Sequence, residues 1–288
     1  MKKIVSALVL AGLVGAPAAV MAAETSPHTF TANVGLYSQY VFRGLAQTNE
    51  DPAIQGGMDY SHASGFYAGV WGSNVSWLRD TDGAGGSFSN YASGGSLELD
   101  VYGGYRTTIG PVGVDVGALY YWYPGDLRSA TTTPACPAAF CIEADTLELY
   151  AAASWKWFTV KYSHSMDDTF GVADADGTYY LDFAASVPVG ETGLTLGAHY
   201  GIQKFSGTDS RNTGGGSNDT TYSYDDWKIS ATYDLGKLGE KLSGTTLGVA
   251  YTDTNDAHNF GYGSVAQGGS YPKNIAEDQV TVWVQKVF

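Results

Sequence analysis

The chain has 288 residues, with 29 acidic against 15 basic side chains and a formal net charge of −14. That acidity excludes nucleic acid as a partner, because binding the phosphate backbone requires basic side chains that neutralise it. The composition includes 38 glycines, 21 tyrosines and 7 tryptophans, with only 15% charged residues, the mixture of a β-barrel with aromatic girdles.

Lys2 and Lys3 precede an apolar run from Ile4 to Val20, and small residues follow at Ala22 and Ala23. This pattern predicts a secretory signal peptide over residues 1–23, cleaved after Ala22 or Ala23, and a single mature domain over 24–288. A membrane-spanning helix is the alternative, but Gly12, Gly15 and Pro17 interrupt the run. No other stretch approaches the ~20 apolar residues of a helical span. A membrane location therefore requires a closed barrel, in which every backbone polar group is satisfied between strands.

Alternation of apolar and polar residues predicts twelve strands in the mature chain. The first is Thr29–Arg43, with Phe30, Ala32, Val34 and Leu36 on one face and Asn33, Gln39 and Arg43 on the other. Ala53–Ser61 follows, then Phe66–Trp77, whose pattern changes face midway and suggests a bulge near Gly72. Next come Ser96–Arg106, Val112–Trp122, Thr146–Ser154, Trp157–His164, Thr178–Val187 and Leu194–Lys204. Tyr224–Tyr233, Thr246–Thr254 and Gln279–Phe288 complete the set. The last strand has Val280, Val282, Val284 and Phe288 on one face against Gln279, Thr281 and Gln285 on the other. Ending on Phe288 makes it similar to the closing strand of bacterial outer-membrane barrels and to the signal read by the barrel-assembly machinery. A soluble β-sandwich is the competing reading.

The connections alternate long and short from the first strand to the last. Gly44–Pro52, Leu78–Gly95, Tyr123–Asp145, Ser165–Gly177, Phe205–Ser223 and Asn255–Asp278 are long. His62–Gly65, Thr107–Pro111, Trp155–Lys156 and Pro188–Gly193 are short, and Asp234–Thr245 is the longest of that set. A sandwich has no reason to keep this phase, whereas a transmembrane antiparallel barrel with short periplasmic turns and long extracellular loops does. The long loops are acidic, which suits divalent-ion bridging to lipopolysaccharide or cation attraction to a mouth.

Asn33-Val-Gly-Leu-Tyr-Ser-Gln-Tyr-Val-Phe-Arg-Gly-Leu-Ala-Gln-Thr48, Asp51-Pro-Ala-Ile-Gln-Gly-Gly-Met-Asp-Tyr60 and Leu97-Glu-Leu-Asp-Val-Tyr-Gly-Gly-Tyr105 resemble the TorF-type porin family (Gcw_chp), a conserved proteobacterial outer-membrane family. The resemblance implies an outer-membrane pore. It brings neither a substrate nor agreed functional residues.

The alternation predicts a lumen carrying Asp59, Glu98, Asp100, Asp115, Glu148, Asp182 and Asp226 against Arg43, Arg106, Lys161 and Lys228. The sum is −3, so passive diffusion of small polar solutes or ions with a modest cation preference is the leading expectation. Pairing of Arg43 or Arg106 with Glu98 and Asp100 is the competing arrangement. Tyr102, Tyr121, Tyr150, Tyr180 and Trp283 also point inward, which keeps a non-conducting structural or adhesive barrel in play. A lipid-modifying barrel enzyme needs a paired Ser and His at one interface. His62 with Ser64 and His164 with its serine neighbours are the pairs to weigh, and no catalytic assignment follows from them. Asp80-Thr-Asp82-Gly83 and Asp174-Ala-Asp176-Gly177 resemble the start of a calcium loop but lack the acids that complete one. No cofactor or metal is expected. Cys136 and Cys141 suit a local disulfide on an export route. The expected partners are outer-membrane lipid, lipopolysaccharide and the assembly machinery, around a monomer.

Overall fold

The computed structural model describes residues 26–79, 90–129, 131–132, 141–209, 216–255, 257 and 274–288. The expected signal peptide, Asp80–Gly83 and Cys136 fall outside them. Twelve strands form one closed antiparallel barrel. They are β1 (His28–Tyr37), β2 (Ala53–His62), β3 (Phe66–Asn74), β4 (Leu97–Ile109), β5 (Val112–Trp122) and β6 (Thr146–Trp155). β7 (Phe158–Ser165), β8 (Tyr179–Pro188), β9 (Leu194–Lys204), β10 (Tyr224–Asp234), β11 (Thr245–Asn255) and β12 (Gln279–Val287) continue the order. Each strand pairs with its sequence neighbours, and β12 closes on β1 with Leu36 opposite Val284. The Phe288 amide donates to the Ala32 carbonyl at 2.8 Å, extending that seam by one residue.

The alternation read from the sequence is the inside–outside pattern of the wall. Phe30, Met58, Ile109, Leu247, Val280 and Phe288 are exposed on the outer face, Phe30 to 75% and Phe288 to 71%. A continuous apolar band of this kind on a closed barrel is a lipid-facing surface. The start of β1, the end of β12 and the short turns lie at one end, and the strand ends joined by the six long connections lie at the other. The 235–244 connection contains two short 3-10 turns, the first capped by Asp234, whose carboxylate accepts from the Gly236 amide at 2.8 Å. At the long-loop end, three outward tyrosines donate to aspartates at strand ends. Tyr120 bonds Asp145 at 2.9 Å, Tyr200 bonds Asp225 at 2.9 Å and Tyr251 bonds Asp278 at 3.2 Å. Ring in the apolar band and hydroxyl toward water is the amphipathic placement expected of a girdle.

Two sequence expectations are corrected. β3 alternates regularly to Asn74, in unbroken register with β2 and β4, and has no bulge at Gly72. The apparent change of face came from Tyr67 and Trp71, which are apolar-looking residues on the lumen side, both buried. The first strand ends at Tyr37, so Arg43 stands on a loop and not on the wall.

The lumen explains the glycine and tyrosine counts better than girdles do. Inward rings lie across glycines of adjacent strands. A Cβ on Gly117 would sit 2.5 Å from the Tyr150 hydroxyl, and one on Gly104 would sit 2.6 Å from the Tyr67 hydroxyl. Tyr150 is directly opposite Gly117 and Tyr67 opposite Gly104. Gly248 lies under the Trp283 ring in the same way. Glycine at these positions leaves room for a large ring to lie against the wall.

Candidate functional site

Residues 38–52 follow β1 at the long-loop end and fold into the barrel. Gln39, Tyr40, Leu45, Ala46, Gln47, Thr48 and Asn49 are all buried. The expectation of an outside loop at Gly44–Pro52 is therefore replaced by a plug. Its base is tied to the wall: the Ser38 amide donates to the Val282 carbonyl at 2.8 Å and Gln39 Nε2 to the Val280 carbonyl at 3.1 Å. The Ala46 amide donates to the Ile275 carbonyl at 2.8 Å, and the Gln47 carbonyl accepts from the Ser76 and Trp77 amides.

The plug's tip is a minimal hairpin, Val41–Phe42 against Leu45–Ala46, turned by Arg43 and Gly44. Both turn residues have positive φ, +46° and +82°. Two-residue hairpins favour such turns because their twist matches that of the strands. Glycine is needed at position 44, where a Cβ would meet Thr254 Cγ2 at 2.6 Å and Asp226 Cβ at 2.7 Å on the wall. Arginine is a less comfortable left-handed residue, and its side-chain contacts hold it there. Arg43 Nη2 donates to both Glu148 oxygens at 2.8 Å, and Nη1 donates to Gln203 Oε1 at 3.0 Å. The guanidinium carbon lies 4.3 Å from the Tyr180 ring centre and 4.9 Å from that of Phe42. The Phe-Arg-Gly run of the sequence is thus a turn and a latch.

The remaining predicted lumen residues all face inward and fall into groups. Arg106 Nε donates to Asp115 Oδ2 at 2.9 Å, with its guanidinium over the Tyr67 ring at 3.8 Å. Tyr67 donates to Asp115 at 2.6 Å and also contacts the Tyr150 hydroxyl. Tyr102 donates to Asp59 at 2.5 Å. Glu98 and Asp100 are buried at 2% exposure each, and Tyr40 of the plug donates to Glu98 at 2.9 Å. Burial first, and the Glu98 carboxylate second, push the Tyr40 phenol well above its usual range, so it stays a donor. Of the competing pairings, Arg43 takes Glu148 and Arg106 takes Asp115.

Opposite them, His199 Nδ1 lies 3.1 Å from Asp182 and its Nε2 lies 2.9 Å from Asp226. Each ring nitrogen thus faces a carboxylate, and Nε2 also lies 2.9 Å from the Tyr180 hydroxyl. Tyr180 donates to the other Asp226 oxygen at 2.7 Å. Lys228 is directly opposite His199 across β9 and β10. A cavity of about 70 Å³ lies under the plug, between Arg43 and the wall residues Lys161, Asp182, His199, Asp226 and Lys228. Alternation alone placed His199 inward. Its two carboxylate partners follow from cross-strand register, and the roles of Tyr40 and Gln203 follow from the plug, so neither was readable along one strand.

His62 Nδ1 faces the Ser64 hydroxyl at 2.7 Å and the Ser64 amide at 3.2 Å, the geometry of a capped turn. His164 and Ser163 do lie on opposite faces, with His164 Nδ1 3.1 Å from the outward Tyr162 hydroxyl. No group of three or more metal-ligating side chains occurs among the described residues. Cys141 is disulfide-bonded, and Cys136 is the other cysteine of the chain.

Residues 21–288 match the family described as "Bacterial protein of unknown function (Gcw_chp)". The chain belongs to that family. No curated protein matches the sequence. Similar solved structures include the KdgM porin, at 9% identity and TM-score 0.47, covering 90% of this chain and 99% of that one. The NanC porin is similar at 12% identity and TM-score 0.46, over 90% and 99% of the two chains. The outer membrane protein OprD from Pseudomonas aeruginosa is similar at 14% identity and TM-score 0.37, over 92% of this chain and 66% of its own.

Proposed function

We propose that this member of the Gcw_chp family is an outer-membrane channel of a Gram-negative bacterium, passing small polar solutes or ions by passive diffusion with a modest cation preference. The observation that carries the reading is a lumen lined by charged side chains inside a closed barrel with an apolar outer band. A wall that only filled space would gain more from apolar packing than from buried charges. The likeness to the TorF-type porins supports the same reading. The long acidic loops then face the outside, where divalent ions bridge them to lipopolysaccharide, and Phe288 serves the assembly machinery. Cysteine labelling tests the orientation. With Cys136 and Cys141 replaced, a cysteine at Ser217 reacts with an impermeant reagent in intact cells and one at Gly190 does not. The reverse pattern inverts the topology.

Asp115 and Glu148 have arginine partners, and Asp182 and Asp226 share His199. Cation preference is expected from Asp59, Glu98 and Asp100, the inward carboxylates outside these pairs. Refolded mature protein in a planar bilayer under a KCl gradient should give a reversal potential on the K⁺ side. Glu98→Gln with Asp100→Asn should move it toward zero. A clear anion preference in the parent protein would refute the assignment. A non-conducting structural barrel is the second reading, favoured by the plug and by the rings of Tyr121, Tyr150, Tyr180 and Trp283 in the lumen. Absence of any conductance selects it.

A further inference from the structure

We propose that the cavity under the plug is a subsite for the carboxylate of a small organic anion, anchored by the Lys161 ammonium. This rests on the channel reading, because the solute reaches the cavity through the lumen. Lys161 lines the cavity and makes no hydrogen bond or ion pair among the described residues. Its ammonium lies over the Tyr150 ring, 4.5 Å from the centre, and Asp182 stands directly opposite it across β7 and β8. An ammonium inside a protein is costly unless an anion or several acceptors meet it.

Most acceptors nearby are already engaged, Asp182 Oδ2 being the exception. Both Glu148 oxygens hold Arg43. Asp226 uses one oxygen for His199 and the other for Tyr180, and Asp182 Oδ1 takes the remaining His199 nitrogen. The cavity wall therefore offers its donors more than its acceptors. Ser163, two residues along the same face of β7, presents a hydroxyl that has no hydrogen bond among the described residues. A carboxylate accepts from an ammonium and a hydroxyl together.

Charge and room together suit a small carboxylate. A cavity of about 70 Å³ beside Lys161 has room for one carboxylate head with a short alkyl stem. A monoanion matches one unpaired ammonium, whereas a phosphate dianion leaves a charge uncompensated. A bound carboxylate adds negative charge to a lumen that is already acidic. It also occupies part of the lumen, so its binding reads as partial block of K⁺ current by occlusion and not as anion selectivity.

The test uses propionate, with methylammonium as the cationic control. In a planar bilayer, replacing chloride by propionate at constant ionic strength should reduce the K⁺ current of the parent protein in a saturable way. Methylammonium chloride should not. Lys161→Met should weaken the block about tenfold, a loss of about 1.4 kcal/mol. Lys161→Arg should retain most of it, and Lys161→Gln serves if the methionine variant does not fold. Line broadening of [¹³C]propionate by detergent-solubilised protein gives a reading that needs no conduction. A conducting parent that propionate neither blocks nor broadens overturns the subsite and leaves the channel standing. A parent that does not conduct overturns the channel. In that case broadening that vanishes in Lys161→Met supports the subsite, and no broadening overturns it. Block or broadening of equal strength in all the Lys161 variants also overturns it.

Discussion

Arg43→Ala should raise single-channel conductance several-fold, the largest functional change expected from one side chain in this protein. Arg43 is the only part of the plug tip that holds the wall through charge. It spans from the plug to β6 through Glu148 and to β9 through Gln203, and it stacks on Tyr180 of β8. Removing one member of a buried ion pair costs about 3–5 kcal/mol, because the partner is left charged and unpaired. That cost falls on the plugged state, since a released plug lets water reach Glu148. The barrel keeps its backbone ladder on all twelve strands, so folding is spared. The base of the plug also stays tied, through Ser38, Ala46 and Gln47. The expected state is a loosened hairpin tip in an intact barrel, with higher conductance, more current noise and a larger exclusion limit for neutral solutes. Arg43→Lys keeps the charge but loses the two-pronged contact with Glu148, and should fall between the two. Adding Glu148→Gln to Arg43→Ala should restore part of the closed behaviour by removing the stranded charge. Unchanged conductance, both in Arg43→Ala and in a variant lacking residues 41–46, would show that the lumen is closed elsewhere.

The wall of this protein was legible in its sequence and the plug was not. Period-two alternation reports which medium each side chain meets, so Leu97, Leu99 and Val101 against Glu98 and Asp100 are read correctly without any partner strand. It fails where the lumen side is itself aromatic. Tyr67 and Trp71 on β3 look like lipid-facing residues and mimic a change of face. It fails again at residues 38–52, where the strand-like alternation of Gln39, Val41 and Arg43 continues past the end of pairing at Tyr37. Alternation cannot distinguish a wall strand from a short hairpin packed against that wall, because both have two dissimilar faces. Arg-Gly at 43–44 was the local sign of a two-residue turn, and it was visible only as part of a family likeness. The charged pairs were beyond reach for another reason. His199 meets Asp226 because β9 and β10 set Gly201 opposite Asp226 and His199 opposite Lys228. Register is a property of two strands together, and a single strand does not specify it.

Gly117→Val should be the most damaging substitution at a position that carries no charge. Gly117 faces the lumen on β5, directly opposite Tyr150 of β6. A Cβ there would stand 2.5 Å from the Gly103 carbonyl oxygen, which is backbone and cannot move without breaking the ladder. It would also stand 2.5 Å from the Tyr150 hydroxyl, so the ring would have to leave the wall. The consequences spread from that displacement. Tyr150 contacts the Tyr67 hydroxyl, Tyr67 donates to Asp115, and Asp115 holds Arg106. The Tyr150 ring also underlies Lys161. Overpacking of this kind costs about 1–3 kcal/mol in ordinary cores. Disturbing a buried polar network adds the cost of groups left unsatisfied, about 1–3 kcal/mol for each. The variant should therefore refold with a clearly lower urea midpoint, or remain unfolded, as judged by heat-modifiable gel migration. Gly103→Ala is the control one strand away. It lies on the outer face of β4, where its Cβ meets nothing closer than the Tyr67 carbonyl oxygen, at 3.2 Å, and no lumen ring, so its midpoint should fall much less than that of Gly117→Val. Equal midpoints for Gly117→Val and the parent would mean that Tyr150 does not lie across Gly117. The link between the glycine and tyrosine content and the lumen would then fail.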